Sequence, residues 1–310
     1  MATTPPLLLL ALTLATACKG QAPTEETDEP VSVASPGCET ESPYLAGVQQ
    51  VTFDAGTEGD GERGFSLTLP ADYDSRVPHR VVIGYAGTNW VGEQIRPYLN
   101  LESQGSTVPT LYVYPDPLWR DFAGWGNLGG WTLGPHATPA DGEGDLSFTS
   151  QILDHLEETH CVDTDQVFVT GHSWGGDMAH VAACFLGDRI TAAVPVAANS
   201  PYWFDDTGST ITCPGDVAVW NLFGSADDYF TNQSYPGEIG DQGRDFWLTE
   251  LGCDGVDQNT ALPFGAEGEC LEYTGCESVL RYCLYESSAG HQVPSYYSEA
   301  TMAWFDSFQD

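Results

Sequence analysis

The run Gly171-His172-Ser173-Trp174-Gly175 constrains this chain more than any other segment. In a sequence with 34 glycines, a bare G-x-S-x-G match carries little weight. Its flanks give it meaning. Val167-Phe168-Val169-Thr170 is a continuous apolar run of the buried parallel-strand type, and a helical pattern opens at Trp174 and continues through Met178, Val181 and Phe185. A strand that turns into a helix at a serine holds that serine at the apex of a strained turn. Only residues without a bulky Cβ fit two positions before and after it. The turn also sets Ser173 at a helix N-terminus, where the dipole favours developing negative charge. A mere helix-capping serine is the plainer alternative, and the strand on one side with the helix on the other argues against it.

The rest of the chain supplies matching elements. Val48–Phe53 and Phe65–Leu69 alternate apolar and polar residues, as antiparallel edge strands do. Val81–Ala86, Thr110–Tyr114, Ile190–Ala198 and Val217–Phe223 are nearly continuous apolar runs suited to buried parallel strands. A helix is expected from Leu146 to His160, with Asp145 as N-cap and Phe148, Ile152 and Leu156 on one face. Another is expected near Ser295–Phe308, with Tyr297, Ala300, Trp304 and Phe308 aligned. Alternating strands and helices give an α/β class: a mostly parallel central sheet with helices on both faces.

A serine hydroxyl at such a turn needs a base, and on this kind of scaffold the acid and then the histidine follow it in the chain. Of the seven histidines, six lie at or before His180. Only His291 lies far enough downstream, between a strand expected at Ser278–Tyr285 and the last helix. His172, next to the serine, should point away from it and reads as a packing or hydrogen-bonding residue. The acid should follow Val217–Phe223, where Asp227 and Asp228 compete. Asp227 is preferred, and Asp228 would then be a solvated loop charge. Two backbone N–H groups should face a developing oxyanion: that of Trp174, just after the serine, and that of Thr88, in the loop after Val81–Ala86. Trp90, Trp119, Trp125, Trp131 and Trp203 fall in expected loops. Trp131 and Trp125, within the stretch Trp119–Gly134, are the candidates for substrate contact, with closure over the core as the competing use of such rings.

With these residues in place, the chain resembles the feruloyl esterase and poly(3-hydroxybutyrate) depolymerase group of α/β-hydrolases. The likeness rests on Val162–Ala179 around the serine, on the strand Ala192–Ala198, on Phe223-Gly224-Ser225-Ala226-Asp227, and on Gly275-Cys276, Val279, Tyr282-Cys283, Gly290-His291 and Pro294. It favours Asp227 over Asp228. Two positions depart from the group's pattern: Ala86 precedes Gly87 where a histidine is common, and Phe223 replaces a histidine in the acid loop. Neither removes a backbone donor or the carboxylate. The resemblance implies the α/β-hydrolase fold and two-step acyl transfer from an ester through Ser173, with no metal and no organic cofactor. The substrate implied is a phenolic or other acyl ester of plant polysaccharide. A polyester such as polyhydroxybutyrate is the alternative within the same chemistry, and a catalytically silent surface binding protein is the alternative outside it.

The charge balance excludes other partners. With 45 acidic residues against 9 basic, a formal net charge of -36, the surface repels nucleic acid and anionic membranes. Such acidity suits solubility in a salty or extracellular setting. Asp54–Glu62 is the best calcium-loop candidate but has Phe65 where an EF-hand needs an acid, so it reads as a glycine-rich turn between strands. Leu7–Leu14 is an apolar run of signal-peptide length ending in Ala15-Thr16-Ala17-Cys18, which marks residues 1–17 as a signal peptide and Cys18 as a lipidation candidate. Residues 18–37, rich in Pro, Thr and Glu, read as a tether, and 38–310 as the catalytic domain. Apart from Cys18, eight cysteines remain, an even number suited to disulfides in an oxidising compartment, with no zinc-type spacing. The expected location is export: lipid-anchored at a bacterial cell surface or outer membrane, otherwise secreted.

Overall fold

Ten strands lie side by side in one sheet, and the apolar runs of the sequence form its centre. The structure is a computed structural model. It describes Met1 and residues 33–122, 124–133, 139–201, 212–230, 233–260, 267–286 and 290–309, with backbone alone at 139–142 and 256–259. In chain order the elements are β1 (Gly47–Asp54), β2 (Glu62–Leu69), β3 (His79–Tyr85), α1 (Gly92–Leu99), β4 (Thr110–Pro115), β5 (Leu118–Phe122), β6 (Gly126–Gly130), α2 (Pro139–Thr159), β7 (Val162–His172), α3 (Trp174–Phe185), β8 (Ala192–Val196), β9 (Ala218–Gly224), α4 (Glu238–Glu250), β10 (Val256–Asn259), β11 (Gly268–Thr274), β12 (Leu280–Tyr285) and α5 (Tyr297–Asp306).

The sheet order is β1-β2-β4-β3-β7-β8-β9-β12-β11-β10. From β4 to β12 neighbouring strands run parallel, while β1, β2, β10 and β11 pair antiparallel at the two edges. This is the mostly parallel, two-faced α/β sheet that the strand and helix pattern implied, in the arrangement that the resemblance to α/β-hydrolases implied. Residues of β3 alternate between two cores: Val81, Ile83 and Tyr85 join α2, α3 and α4 on one face, and Val82 joins α1 and α5 on the other. Because both faces are covered, the central strands read as continuous apolar runs. β5 and β6 form a separate two-stranded hairpin, inside the stretch expected to be loop.

Two expectations change. Asp145 is not an N-cap: α2 begins at Pro139, and the Asp145 carboxylate is buried against Arg63 and Thr132. Residues 33–37, assigned to the tether by composition, are tied to the domain by hydrogen bonds, with Ser35 and Gly37 buried. Ala34 bridges Asp163, and Ser35 donates its backbone N–H to Val162 and its hydroxyl to His160 O. The described residues from Val33 onward belong to one compact unit, Ser32–Asp310. The signal-peptide and Cys18 assignments lie outside the described residues.

All eight other cysteines are bonded: Cys38–Cys161, Cys184–Cys213, Cys253–Cys276 and Cys270–Cys283. The first staples the N-terminal segment to the start of β7, and the last two tie the β11–β12 edge. Among the described residues no helix is long and apolar enough to cross a membrane.

Candidate active site

β7 delivers Ser173 and α3 departs from it. Ser173 has φ 60 and ψ -129, a left-handed conformation uncommon for a residue with a Cβ. The surroundings hold it there: Ser173 N–H donates to Val196 O at 3.0 Å, and Ser173 O accepts from Gly176 and Asp177 as α3 begins. The motif glycines have a steric cause. A Cβ on Gly171 would lie 2.2 Å from Gly175 O, and one on Gly175 would lie 2.2 Å from Tyr85 O. No other residue fits at Gly171 without moving the start of α3 from β7, or at Gly175 without moving it from β3. Strain of this kind, over-determined by packing, is typical of a functional turn.

The turn after β9 carries Asp227, and the loop after β12 carries His291. Asp227 Oδ2 accepts from His291 Nδ1 at 2.7 Å, and Asp227 Oδ1 accepts the Tyr229 N–H at 3.0 Å. Both carboxylate oxygens are thus engaged, and the side chain is 1% exposed. A carboxylate at Nδ1 fixes that nitrogen as the N–H, which leaves Nε2 as the acceptor. Nε2 is buried and has no hydrogen-bond partner among the described residues. Ser173 and His291 line the same cavity of about 350 Å3, with Gly87, Thr88, Trp90, Tyr98 and Tyr229 among its walls. Asp228 is exposed, as expected of a loop charge, and its Oδ1 also accepts the backbone N–H of His291 at 3.0 Å. The histidine loop is also pinned by Tyr285 Oη, which donates to Gln292 O at 2.7 Å, and by Tyr98 Oη, which accepts the Val293 N–H at 3.1 Å.

Aromatic rings enclose the imidazole. Tyr229 stacks on His291 at 4.8 Å and 23°, Phe230 meets it edge-on at 5.6 Å, and His172 lies 4.7 Å away. Burial, helped by the neighbouring His291, pushes the His172 pKa down to about 3. His172 is therefore neutral and adds no charge beside His291. It packs against Tyr98 and His291, as a packing residue, but on the wall of the cavity that Ser173 lines rather than turned away from it.

Thr88 and Trp174, the two expected backbone donors, lie on different elements. Thr88 lies in the β3–α1 loop on the cavity wall, and Trp174 is the first residue of α3. Neither N–H has an acceptor among the described residues. The tryptophans divide. Trp90, 38% exposed, is on the cavity wall. Trp125, in the β5–β6 turn, is 53% exposed and is not among the residues lining the cavity. Trp131 is a correction: it is wholly buried, and its Nε1 donates to Ala86 O at 2.8 Å, so it faces the core and not a substrate. Trp203 lies outside the described residues. Tyr98 and Tyr229 had no sequence signal, because one sits in a helix interrupted by Pro97 and the other in a loop. Among the described residues no group of three or more His, Cys, Asp or Glu is placed to hold a metal ion.

Comparison with known proteins points one way. No family model matches the chain. It is 32% identical over 166 residues to a probable feruloyl esterase C of Aspergillus niger, covering 51% of each chain. It is 26% identical over 265 residues to feruloyl esterase D of Neurospora crassa, covering 80% of this chain and 79% of that one. The chain thus spans about half the length of the first of these relatives in the matched region. Among solved structures, an acetyl xylan esterase from Aspergillus awamori superposes with a TM-score of 0.64 at 18% identity, over 84% of this chain and 99% of that one. The chain has the α/β-hydrolase fold and, within that fold, is similar to the feruloyl esterases.

Proposed function

We propose that the chain is an exported serine carboxylic-ester hydrolase that acts through an acyl-enzyme on phenolic or other acyl esters of plant polysaccharide. The observation that carries this reading is the His291–Asp227 bond, which leaves Nε2 unpartnered among the described residues, beside a cavity shared with a strained Ser173. Ser173 Oγ attacks the ester carbonyl while His291 Nε2 takes its proton. The Asp227 carboxylate stabilises the imidazolium without taking the proton. The N–H groups of Thr88 and Trp174 stabilise the tetrahedral oxyanion. His291 returns the proton to the leaving alcohol, and water then releases the acid by the same steps in reverse. The names of the relatives support the acyl group, and the rings of Trp90, Tyr98 and Tyr229 on the cavity wall suit a phenolic one.

The test compares wild type with Ser173→Ala on p-nitrophenyl acetate, methyl ferulate and a polyhydroxybutyrate film. The reading expects hydrolysis of both small esters by wild type, a loss of about 10⁴-fold or more in the variant, and no clearing of the film. Equal rates for the two proteins defeat the enzyme reading. Film clearing without feruloyl turnover would move the substrate to a polyester. The four disulfides support export to an oxidising compartment. A lipid on Cys18 is proposed from sequence, and an intact-mass measurement of the membrane-extracted protein tests it: an unmodified N-terminus defeats it.

A further inference from the structure

The two backbone donors assigned to the oxyanion come from different elements, the β3–α1 loop and the start of α3, yet both rest on the β5–β6 hairpin. On the loop side, Asn89 N–H donates to Gly129 O at 2.8 Å and Gly129 N–H donates to Asn89 Oδ1 at 3.0 Å, a closed pair of bonds one residue from Thr88. Asn89 has φ 63, a left-handed conformation that asparagine tolerates better than most residues. Two residues beyond Gly129, Trp131 Nε1 donates to Ala86 O at 2.8 Å, two residues before Thr88. The Trp131 ring is wholly buried, edge-on to Tyr85 at 5.5 Å. The loop carrying Thr88 is therefore held on both sides.

The α3 side is held by the same hairpin. The Trp174 ring lies 4.7 Å from Phe122 at the end of β5 and covers Gly130 so closely that a Cβ there would sit 2.7 Å from it. The hairpin itself is anchored in the interior. Thr132 donates its N–H and its hydroxyl to Asp145 Oδ2 at 2.7 and 2.8 Å, and Asp145 Oδ1 accepts from Arg63 Nη2 at 2.9 Å. Arg120 on β5 reaches Thr132 Oγ1 and Asp60.

We infer that the β5–β6 hairpin is a brace that sets the spacing of the Thr88 and Trp174 N–H groups, with Asn89 and Trp131 as positioning residues. The inference rests on the ester-hydrolase reading above. Donors to an oxyanion contribute only as the negative charge forms, and a catalytic constellation tolerates displacement of only about 0.5 Å. Slackening the brace should therefore lower kcat and leave KM nearly unchanged. A purely structural role for the same residues would instead lower thermal stability without that split.

The test uses Asn89→Ala, which removes the side-chain acceptor, and Asn89→Asp, which keeps it. Trp131→Phe keeps the buried ring and removes its N–H. Each protein is assayed for kcat and KM on p-nitrophenyl acetate, for inhibition by an alkyl trifluoromethyl ketone that forms a tetrahedral adduct, and for Tm. Removing one oxyanion donor outright costs about 10²–10³ in kcat, so a displaced donor should cost about tenfold or more. Asn89→Ala and Trp131→Phe are expected to lose that much in kcat and equally in ketone affinity, with KM within about twofold, while Asn89→Asp recovers most of both. Wild-type kcat and ketone affinity in both variants overturn the brace. So does a loss that Asn89→Asp does not relieve, or one that is confined to KM. If Ser173→Ala is silent and the brace variants are unaffected, only this inference fails; if Ser173→Ala is fully active, the hydrolase reading fails first.

Discussion

Asp228 Oδ1 accepts the backbone N–H of His291 at 3.0 Å, while Asp227 holds the ring of the same histidine at 2.7 Å. Adjacent carboxylates thus grip one residue twice, one through its main chain and one through its imidazole. The doublet looked in sequence like a choice between an acid and a bystander. It is a division of labour.

That division separates the two aspartates in kinetics. Asp227→Ala removes the partner of Nδ1 and should lower kcat about 10³–10⁴-fold. Asp228→Ala loosens only the loop and should cost about tenfold, with Asp228→Asn nearly active because its carbonyl oxygen still accepts the N–H. Steady-state kinetics on p-nitrophenyl acetate checks both. A larger loss at Asp228 than at Asp227 would reverse the assignment.

Buried neutral histidines should make the fold sensitive to mild acid. Burial holds His172 and His180 down to about 3 and His160 down to about 4, against 6.5 for an exposed ring. The unfolded chain takes up protons from about pH 6.5 downward, whereas the native rings do so only near pH 3–4. Stability therefore rises with pH across that interval and is lost as pH falls through it. His180 Nδ1 accepts from Trp247 Nε1 at 2.9 Å, so His180→Gln should flatten the slope of Tm against pH between 5 and 7. A profile identical to wild type would contradict this.

The ion pair Arg63–Asp145 is inaccessible on both sides, and Asp145 also satisfies Thr132. Asp145→Ala strands a buried guanidinium and should cost about 3–5 kcal/mol in urea unfolding. The double variant Arg63→Met with Asp145→Leu should recover only part of that loss, because it removes the stranded guanidinium but leaves the buried Thr132 N–H without its acceptor.

The cavity wall should read the acyl group through Trp90, which lies edge-on to Tyr98 at 5.1 Å. Trp90→Ala is expected to raise KM for methyl ferulate by up to about tenfold and to leave p-nitrophenyl acetate nearly unchanged. Trp125→Ala, at the exposed hairpin turn, should alter neither small ester by more than about twofold.

How much was legible in the sequence follows from packing. The central strands were readable because burial on both faces removes polar residues from them. The serine turn was readable because its glycines are sterically forced. The hairpin β5–β6 was not: Gly126, Gly129 and Gly130 carry no apolar alternation, and the packed rings of Trp119 and Trp174 take the place of side chains there. Helix α4 was hidden likewise, since Gly240 and Gly243 are where it approaches Phe223 and Asn221. The first turns of α2 lack an apolar stripe, which made Asp145 look like a cap. Trp131 shows the limit most clearly: a tryptophan among loop glycines has no pattern that separates a buried strut from a substrate platform.

The central claim is that Ser173 is a nucleophile activated by His291, and covalent labelling tests it most directly. Incubation with diethyl p-nitrophenyl phosphate, followed by intact-mass and peptide analysis, should give one diethylphosphoryl adduct on the peptide bearing Ser173 with one equivalent of p-nitrophenol released. The rate should fall about 10³-fold or more in His291→Ala. An unlabelled wild-type protein, a label on another residue, or labelling unaffected by His291→Ala would contradict the account.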